Sequence, residues 1–252
     1  MTDNISVFCD QLMRKFGSFV AVNQVSMEVR EGEIIGFLGA NGAGKTTLIR
    51  MLCGLLIPTS GKATVSGLDV NTQSEQIKQK IGYMSQKFSL YDDMTVSENL
   101  EFFGGIYDLR KDRLRDRIDT ELVELGLSSY KDMITGSLPI GFKQRLALGC
   151  SIMHDPPILF LDEPTSGVDP KVRRSFWDII YDKAALGKTI FVTTHFMDEA
   201  EYCNRVLIMH DGNKVAFSNP DSLKQKLKLN SMQEVFIQLI KPGNVGEEHD
   251  LI

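Results

Sequence analysis

Gly39-Ala40-Asn41-Gly42-Ala43-Gly44-Lys45-Thr46 follows directly on the apolar run Ile34-Ile35-Gly36-Phe37-Leu38. A G-x-x-x-x-G-K-[ST] pattern at that place predicts a strand, a phosphate-cradling loop and a helix in succession, the core of an α/β fold. The reason lies in the backbone. Glycines let successive N–H groups converge on phosphate oxygens, and the helix opening at Lys45 turns the positive end of its dipole toward them. Lys45 adds a full charge, Thr46 offers a hydroxyl to Mg²⁺, and Thr47 continues the same phosphate-facing stretch. The ligand implied is a nucleoside triphosphate with Mg²⁺.

The 252 residues allow one compact unit or two small ones, and 42% apolar with 24% charged residues is ordinary for a globular chain. No stretch approaches the roughly 18 apolar residues of a membrane span, so membrane work is expected to need another chain. The start, Met1-Thr2-Asp3-Asn4, lacks the basic and apolar blocks of a secretory signal, which predicts a cytoplasmic protein. Cys9, Cys53, Cys150 and Cys203 stand far apart, as buried thiols would rather than a zinc site or disulfide framework. A net charge of −5 provides no broad basic field, so no nucleic-acid partner is expected.

Periodicity divides the chain. Ile5 to Cys9, Val25 to Val29 and Lys62 to Val65 read as strands, and the helix after the loop should end near Gly54. Thr95-x-x-Glu98 is a capping box, and helical spacing dominates from about residue 88 to residue 155, including Gly141 to His154. Strand and helix then alternate: Ile158 to Leu161, Pro170 to Tyr181, Thr189 to Thr193, and a short helix at Asp198. Arg205 to Met209 and Lys214 to Phe217 flank Asp211-Gly212-Asn213 as a hairpin. The tail from Asp221 carries a lysine-rich helix and an unassigned apolar segment, Val235 to Ile240.

Asp162 and Glu163 close a buried strand, at the carboxyl edge where open α/β sheets keep their ligands. Alone, the pair reads equally well as a cap for the following turn. Beside Lys45, Asp162 is the candidate Mg²⁺ ligand and Glu163 the candidate base for a water attacking the γ-phosphate.

Ile158-Leu159-Phe160-Leu161-Asp162-Glu163-Pro164-Thr165-Ser166-Gly167-Val168-Asp169 resembles the Walker B and D-loop segment of ATP-binding cassette transporter ATPases. The resemblance covers nearly the whole chain. It implies a P-loop core with an antiparallel β subdomain and a helical lobe, spanning residues 1–220, and a C-terminal extension at 221–252. It also implies ATP hydrolysis with Mg²⁺, a second ATP-binding subunit as homodimer or heterodimer, and separate membrane-spanning permease subunits. The chain would then lie on the cytoplasmic face of the membrane.

Several positions carry roles through that resemblance. Phe16 matches the aromatic that stacks on adenine, with a core phenylalanine as the alternative for the same residue. Gln86 matches the glutamine that touches Mg²⁺ and water, and His195 a histidine that reaches the γ-phosphate. Asp169 falls in the D-loop. At the signature the chain departs from the family's Leu-Ser-Gly-Gly-Gln and reads Leu138-Pro139-Ile140-Gly141-Phe142. Pro139 has no hydroxyl and no N–H, so contact with a nucleotide on the opposite subunit should be weakened. Pro139 is expected at the first helical position, leaving Gly141 and the helix dipole facing phosphate. The tail Met232-Gln233-Glu234-Val235-Phe236 resembles the drug-exporter branch. A cassette acting on nucleic acid or ribosomes is the rival reading, and its usual tandem cassettes or long heptad insertions are missing from this sequence.

Overall fold

The computed structural model describes residues 4–241. Residues 1–3, within the expected polar start, and 242–252, the end of the expected C-terminal extension, lie outside the described residues. The chain opens with two long strands, β1 (Ile5–Phe16) and β2 (Phe19–Arg30), followed by β3 (Ile34–Leu38), α1 (Lys45–Leu52), β4 (Ser60–Val65), β5 (Leu68–Asp69), α2 (Ser74–Lys78) and β6 (Ile81–Met84). The helical lobe follows: α3 (Val96–Ile106), α4 (Lys111–Glu124) and α5 (Ile140–Ile152). Then come β7 (Ile158–Asp162), α6 (Pro170–Ala185), β8 (Thr189–Thr194), a 3-10 segment at Met197–Tyr202, β9 (Arg205–His210), β10 (Asn213–Ser218), α7 (Pro220–Leu227) and α8 (Met232–Leu239).

One sheet carries all ten strands of the described residues, in the order β5-β4-β1-β2-β10-β9-β3-β8-β7-β6. Its β5-β4-β1-β2 side is antiparallel, and β9, β3, β8, β7 and β6 run parallel. The single parallel pair Asn23↔Asn213 joins the two regions. Every residue of β3, β7 and β8 is buried, as strands covered on both faces must be.

Strand alternation feeds two cores. Leu38, Leu159, Leu161, Ile190 and Val192 face the helical lobe and α6, where Trp177, Phe176 and Leu146 pack. Ile35, Phe37, Phe160 and Phe191 face the other way, onto Leu48, Ile49 and Leu52 of α1. There Phe160 stacks on Phe191 at 4.6 Å between centroids, and Phe37 meets Phe191 edge-on at 5.6 Å. The four cysteines are buried free thiols within these cores.

Local signals account for several ends. Thr95 and Glu98 form the reciprocal capping box at the start of α3, and these hydrogen bonds hold the Glu98 carboxyl below its ordinary value. Asp169 caps α6 ahead of Pro170, and Gly54 lies in the left-handed region just beyond α1.

Other elements differ from the sequence reading. The first two strands are far longer than Ile5–Cys9 and Val25–Val29, because irregularities such as the one at Gln11 (φ 46°) break the alternation that would reveal their outer halves. The segment Val235–Ile240 lies in α8 as far as Leu239, with Ile240 as its C-cap; a Ser231/Glu234 capping box opens the helix, and its Val235, Phe236 and Leu239 join the helical-lobe core. Pro139 is the N-cap of α5, not its first helical residue, because its ψ of 148° is extended. No helix among the described residues is long and apolar enough to cross a membrane.

Candidate functional site

The loop after β3 is shaped by close contact with β2. Gly44 has φ 102°, and a Cβ there would stand 2.4 Å from the Ala21 carbonyl oxygen, so no other residue fits without moving that strand. α1 starts at the next residue with no side chain capping its first turn. Those N–H groups therefore face the loop, where an anion would be received. Lys45 is 5% exposed and donates to the carbonyls of Gly39 (2.8 Å) and Ala40 (3.1 Å). Burial pulls its ammonium below the ordinary lysine value, and Glu163 and Asp162 partly oppose that pull.

β7 delivers the two carboxylates to opposite jobs. Asp162 is buried beneath the loop, where its Oδ1 accepts from Thr46 Oγ1 (3.2 Å) and Thr193 Oγ1 (2.7 Å). Glu163 adopts φ 50°, a costly backbone state for a side chain of its size, and its N–H donates to Thr193 Oγ1 at 2.8 Å. That turn aims the Glu163 carboxylate at the cleft mouth. Its Oε2 accepts from Gln86 Nε2 (3.0 Å), a residue brought over by β6, and lies 3.5 Å from His195 Nδ1 at the end of β8. Three adjacent parallel strands thus place Gln86, Glu163 and His195 around one oxygen.

A cleft of about 420 Å³ opens between Asn41 to Thr47 on one wall and Gln86 with Glu163 on the other. Phe19 and Ala21 of β2 form its outer rim. Phe16, expected there, pairs with Phe19 across the β1–β2 turn and stacks under the Arg14 guanidinium at 4.6 Å, without lining the cleft. Pro139, Gly141 and Asp169 line a separate cleft of about 250 Å³ between α5 and the turn before α6. There the Asp169 carboxylate accepts from the N–H groups of Lys171 and Val172. A Cβ on Gly141 would meet Val172 Cγ1 at 2.6 Å, so this glycine lets α5 approach α6.

Sequence reasoning missed Thr193 and Phe19. Thr193 looked like one more β-branched strand residue, and Phe19 was hidden by the broken alternation of β2. Chemically, the cleft offers backbone N–H groups and an ammonium for phosphate, hard oxygens at Thr46 and Asp162 for a cation, and a carboxylate beside a histidine for moving a proton.

The family described as ABC transporter matches residues 22–166. The chain is 51% identical over 235 residues to "Probable multidrug ABC transporter ATP-binding protein YbhF" of Escherichia coli (strain K12), covering 91% of this chain and 41% of that protein. It thus spans less than half the length of that relative. It is 40% identical over 211 residues to "Nod factor export ATP-binding protein I" of Rhizobium sp. (strain N33), covering 83% of this chain and 69% of the relative. To "ABC transporter ATP-binding protein NatA" of Bacillus subtilis (strain 168) it is 34% identical over 225 residues, covering 88% and 92%. A solved ATP-binding subunit of an ABC transporter superposes with a TM-score of 0.83 at 25% identity, covering 93% of this chain and 99% of the other. With its α/β sheet, its phosphate-type loop and these relatives, the chain belongs to the ABC transporter family and is one of its ATP-binding cassettes.

Proposed function

We propose that this chain is the ATP-binding and ATP-hydrolysing subunit of an exporter whose membrane passage is built by other subunits. The observation that carries the reading is the convergence of Gln86 and His195 on Glu163 at the mouth of the phosphate-loop cleft. The triphosphate lies along residues 39–47, with the Lys45 ammonium leaving the Gly39 and Ala40 carbonyls for phosphate oxygens. Glu163 takes the proton of the attacking water, and Gln86 and His195 hold that carboxylate and the γ-phosphate in register. Mg²⁺ fits the donors present: Thr46 and Asp162 share a hydrogen bond, and with Gln86 they would hold the ion, which supplies charge neutralisation at the phosphates.

The adenine is read by Phe19 at the rim of the cleft, with Phe16 beside it across the β1–β2 turn. A base on an aromatic face contributes about 1–3 kcal/mol, so Phe19→Ala weakens ATP binding about tenfold and leaves inorganic tripolyphosphate binding unchanged. Parallel titrations with the two ligands check this. Equal losses for both would show that the ring serves the loop and not the base.

A second ATP-binding subunit supplies the other wall of the site through the segment Pro139 to Phe142. Pro139→Ser restores a hydroxyl whose bond to a charged phosphate is worth about 1.5–3 kcal/mol. ATP-driven dimerisation of a hydrolysis-deficient chain therefore tightens roughly ten- to a hundredfold, measured by sedimentation. Serine is also a good N-cap, so Pro139→Ala in parallel removes the proline without adding the bond. An unchanged dimerisation constant for Pro139→Ser would show that the hydroxyl is not missed.

Coupling to the membrane subunits runs through an apolar cavity of about 280 Å³ beside the Gln86 segment. Tyr83 of the sheet, Phe88, Leu90, and Phe103 and Tyr107 of the helical lobe line it. The names of the multidrug and Nod factor relatives support export as the direction. None of those names points to nucleic acid or ribosomes, which leaves that rival without support.

The test of the whole reading is direct. Purified chain retains Mg·ATP and releases phosphate, and a multi-span membrane protein co-purifies with it from its native host. Material that neither binds nor turns over ATP, even with that membrane protein, would overturn it.

A further inference from the structure

Glu199 is fully buried, yet no step of the hydrolysis uses it. It lies four residues after His195 in the 3-10 segment Met197–Tyr202, and its Oε1 accepts a 2.6 Å hydrogen bond from Thr165 Oγ1. Thr165 is 1% exposed and sits two residues after Glu163, inside a turn closed by the Ser166 N–H on the Glu163 carbonyl at 3.1 Å. One side-chain bond thus crosses from the turn behind the carboxylate to the segment behind the histidine.

Arg173 of α6 strengthens the same crossing. Its guanidinium lies 3.6 Å over the Phe196 ring, its Nε is 3.6 Å from Glu199 Oε1, and its Nη1 donates to Asp198 Oδ2 at 3.5 Å. From the other side, Gln144 Nε2 of α5 donates to the Ser166 carbonyl at 2.9 Å. The signature helix, the turn after Glu163 and the segment after His195 therefore share one buried polar path.

Stability alone is a poor reason for this carboxylate. A buried charge has to overcome its lost hydration, and apolar replacements of such pairs are often neutral or better. Among the described residues none donates a hydrogen bond to Glu199 Oε2.

We propose that Glu199 is a positioning residue. Through Thr165 it locks the turn after Glu163 to the segment carrying His195, and so sets the 3.5 Å spacing between His195 Nδ1 and Glu163 Oε2. The assignment rests on the proposed hydrolytic roles of Glu163 and His195.

Thr165→Val tests it, because valine keeps the shape and deletes the hydroxyl while leaving Glu199 and Arg173 in place. In the 252-residue chain, Thr165→Val lowers kcat for Mg·ATP about tenfold or more, with KM within about twofold, as expected when reacting groups lose alignment. Thr165→Ser returns kcat to within about threefold of the parent by restoring the bond. Backbone hydrogen exchange of the nucleotide-free chain gives a readout independent of turnover: Thr165→Val speeds exchange across residues 195–199. Parent-like kcat in Thr165→Val, a loss that Thr165→Ser does not recover, or unchanged exchange at 195–199 each overturn the proposal. A parent chain without turnover overturns the hydrolytic reading instead, and the exchange measurement still decides whether the Thr165–Glu199 link holds the segment.

Discussion

Glu163→Gln stops turnover and accumulates an ATP-bound pair of subunits. The substitution is nearly isosteric, and the backbone anchor from the Glu163 N–H to Thr193 Oγ1 does not involve the side chain, so the φ of 50° and the position of the group persist. Glutamine can still meet Gln86 and His195 by hydrogen bonding, but it cannot accept the proton of the attacking water. General-base catalysis contributes about a hundred- to ten-thousandfold, and that is the expected loss in phosphate release. Nucleotide affinity is kept, because Lys45, Thr46 and the loop N–H groups are untouched. Gel filtration with and without Mg·ATP reads the second half of the prediction, a shift from single to paired subunits. A Glu163→Gln chain that hydrolyses ATP at the parent rate would show that the proton goes elsewhere.

Lys45→Met removes nucleotide binding while leaving the fold intact. In the free chain the ammonium is buried and satisfied by two carbonyls, and burial already depresses its pKa, so its charge is costly to the folded state until an anion arrives. The energetic return comes on binding, when the ammonium faces phosphate. A hydrogen bond to a charged group is worth about 1.5–3 kcal/mol, and losing one or two predicts ATP affinity down about a hundredfold or more. Methionine fills much of the same volume, so the thermal midpoint should move by only a few degrees. The pH dependence has a definite sign. Between the depressed folded value and the ordinary lysine value the unfolded chain binds more protons, so stability rises with pH in that window, and Lys45→Met removes that rise. Titrating ATP by fluorescence and melting both proteins across alkaline pH checks the two halves. Undiminished ATP affinity in Lys45→Met would place the phosphates away from this loop.

Legibility from sequence followed the range of the physics. The loop from Gly39 to Thr46, the capping box at Thr95 and Glu98, and the strand ends that deliver Asp162, Glu163 and His195 depend on neighbours within a few residues, and all stand where that local logic puts them. The outer halves of β1 and β2 did not show, because one solvated face and the bulges erase the alternation that marks a strand. α8 was hidden as well. Its capping box at Ser231 and Glu234 can be seen afterwards, but eight residues form a helix only with a surface to pack on, here the helical-lobe core.

By itself, then, the sequence determined the chemistry on offer: a phosphate loop, two acids and a histidine at strand ends, a signature without its serine, and the family these residues resemble. Only the tertiary structure decided which of them meet. Gln86 reaches Glu163 across 77 residues of chain, Thr193 serves both acids at once, Thr165 finds Glu199, and Phe19 takes the rim of the cleft. Side-chain periodicity and capping are encoded within a turn or two of backbone. The spacing between catalytic groups is set by the order of parallel strands and the packing of two cores against them, and that order is a property of the assembled sheet.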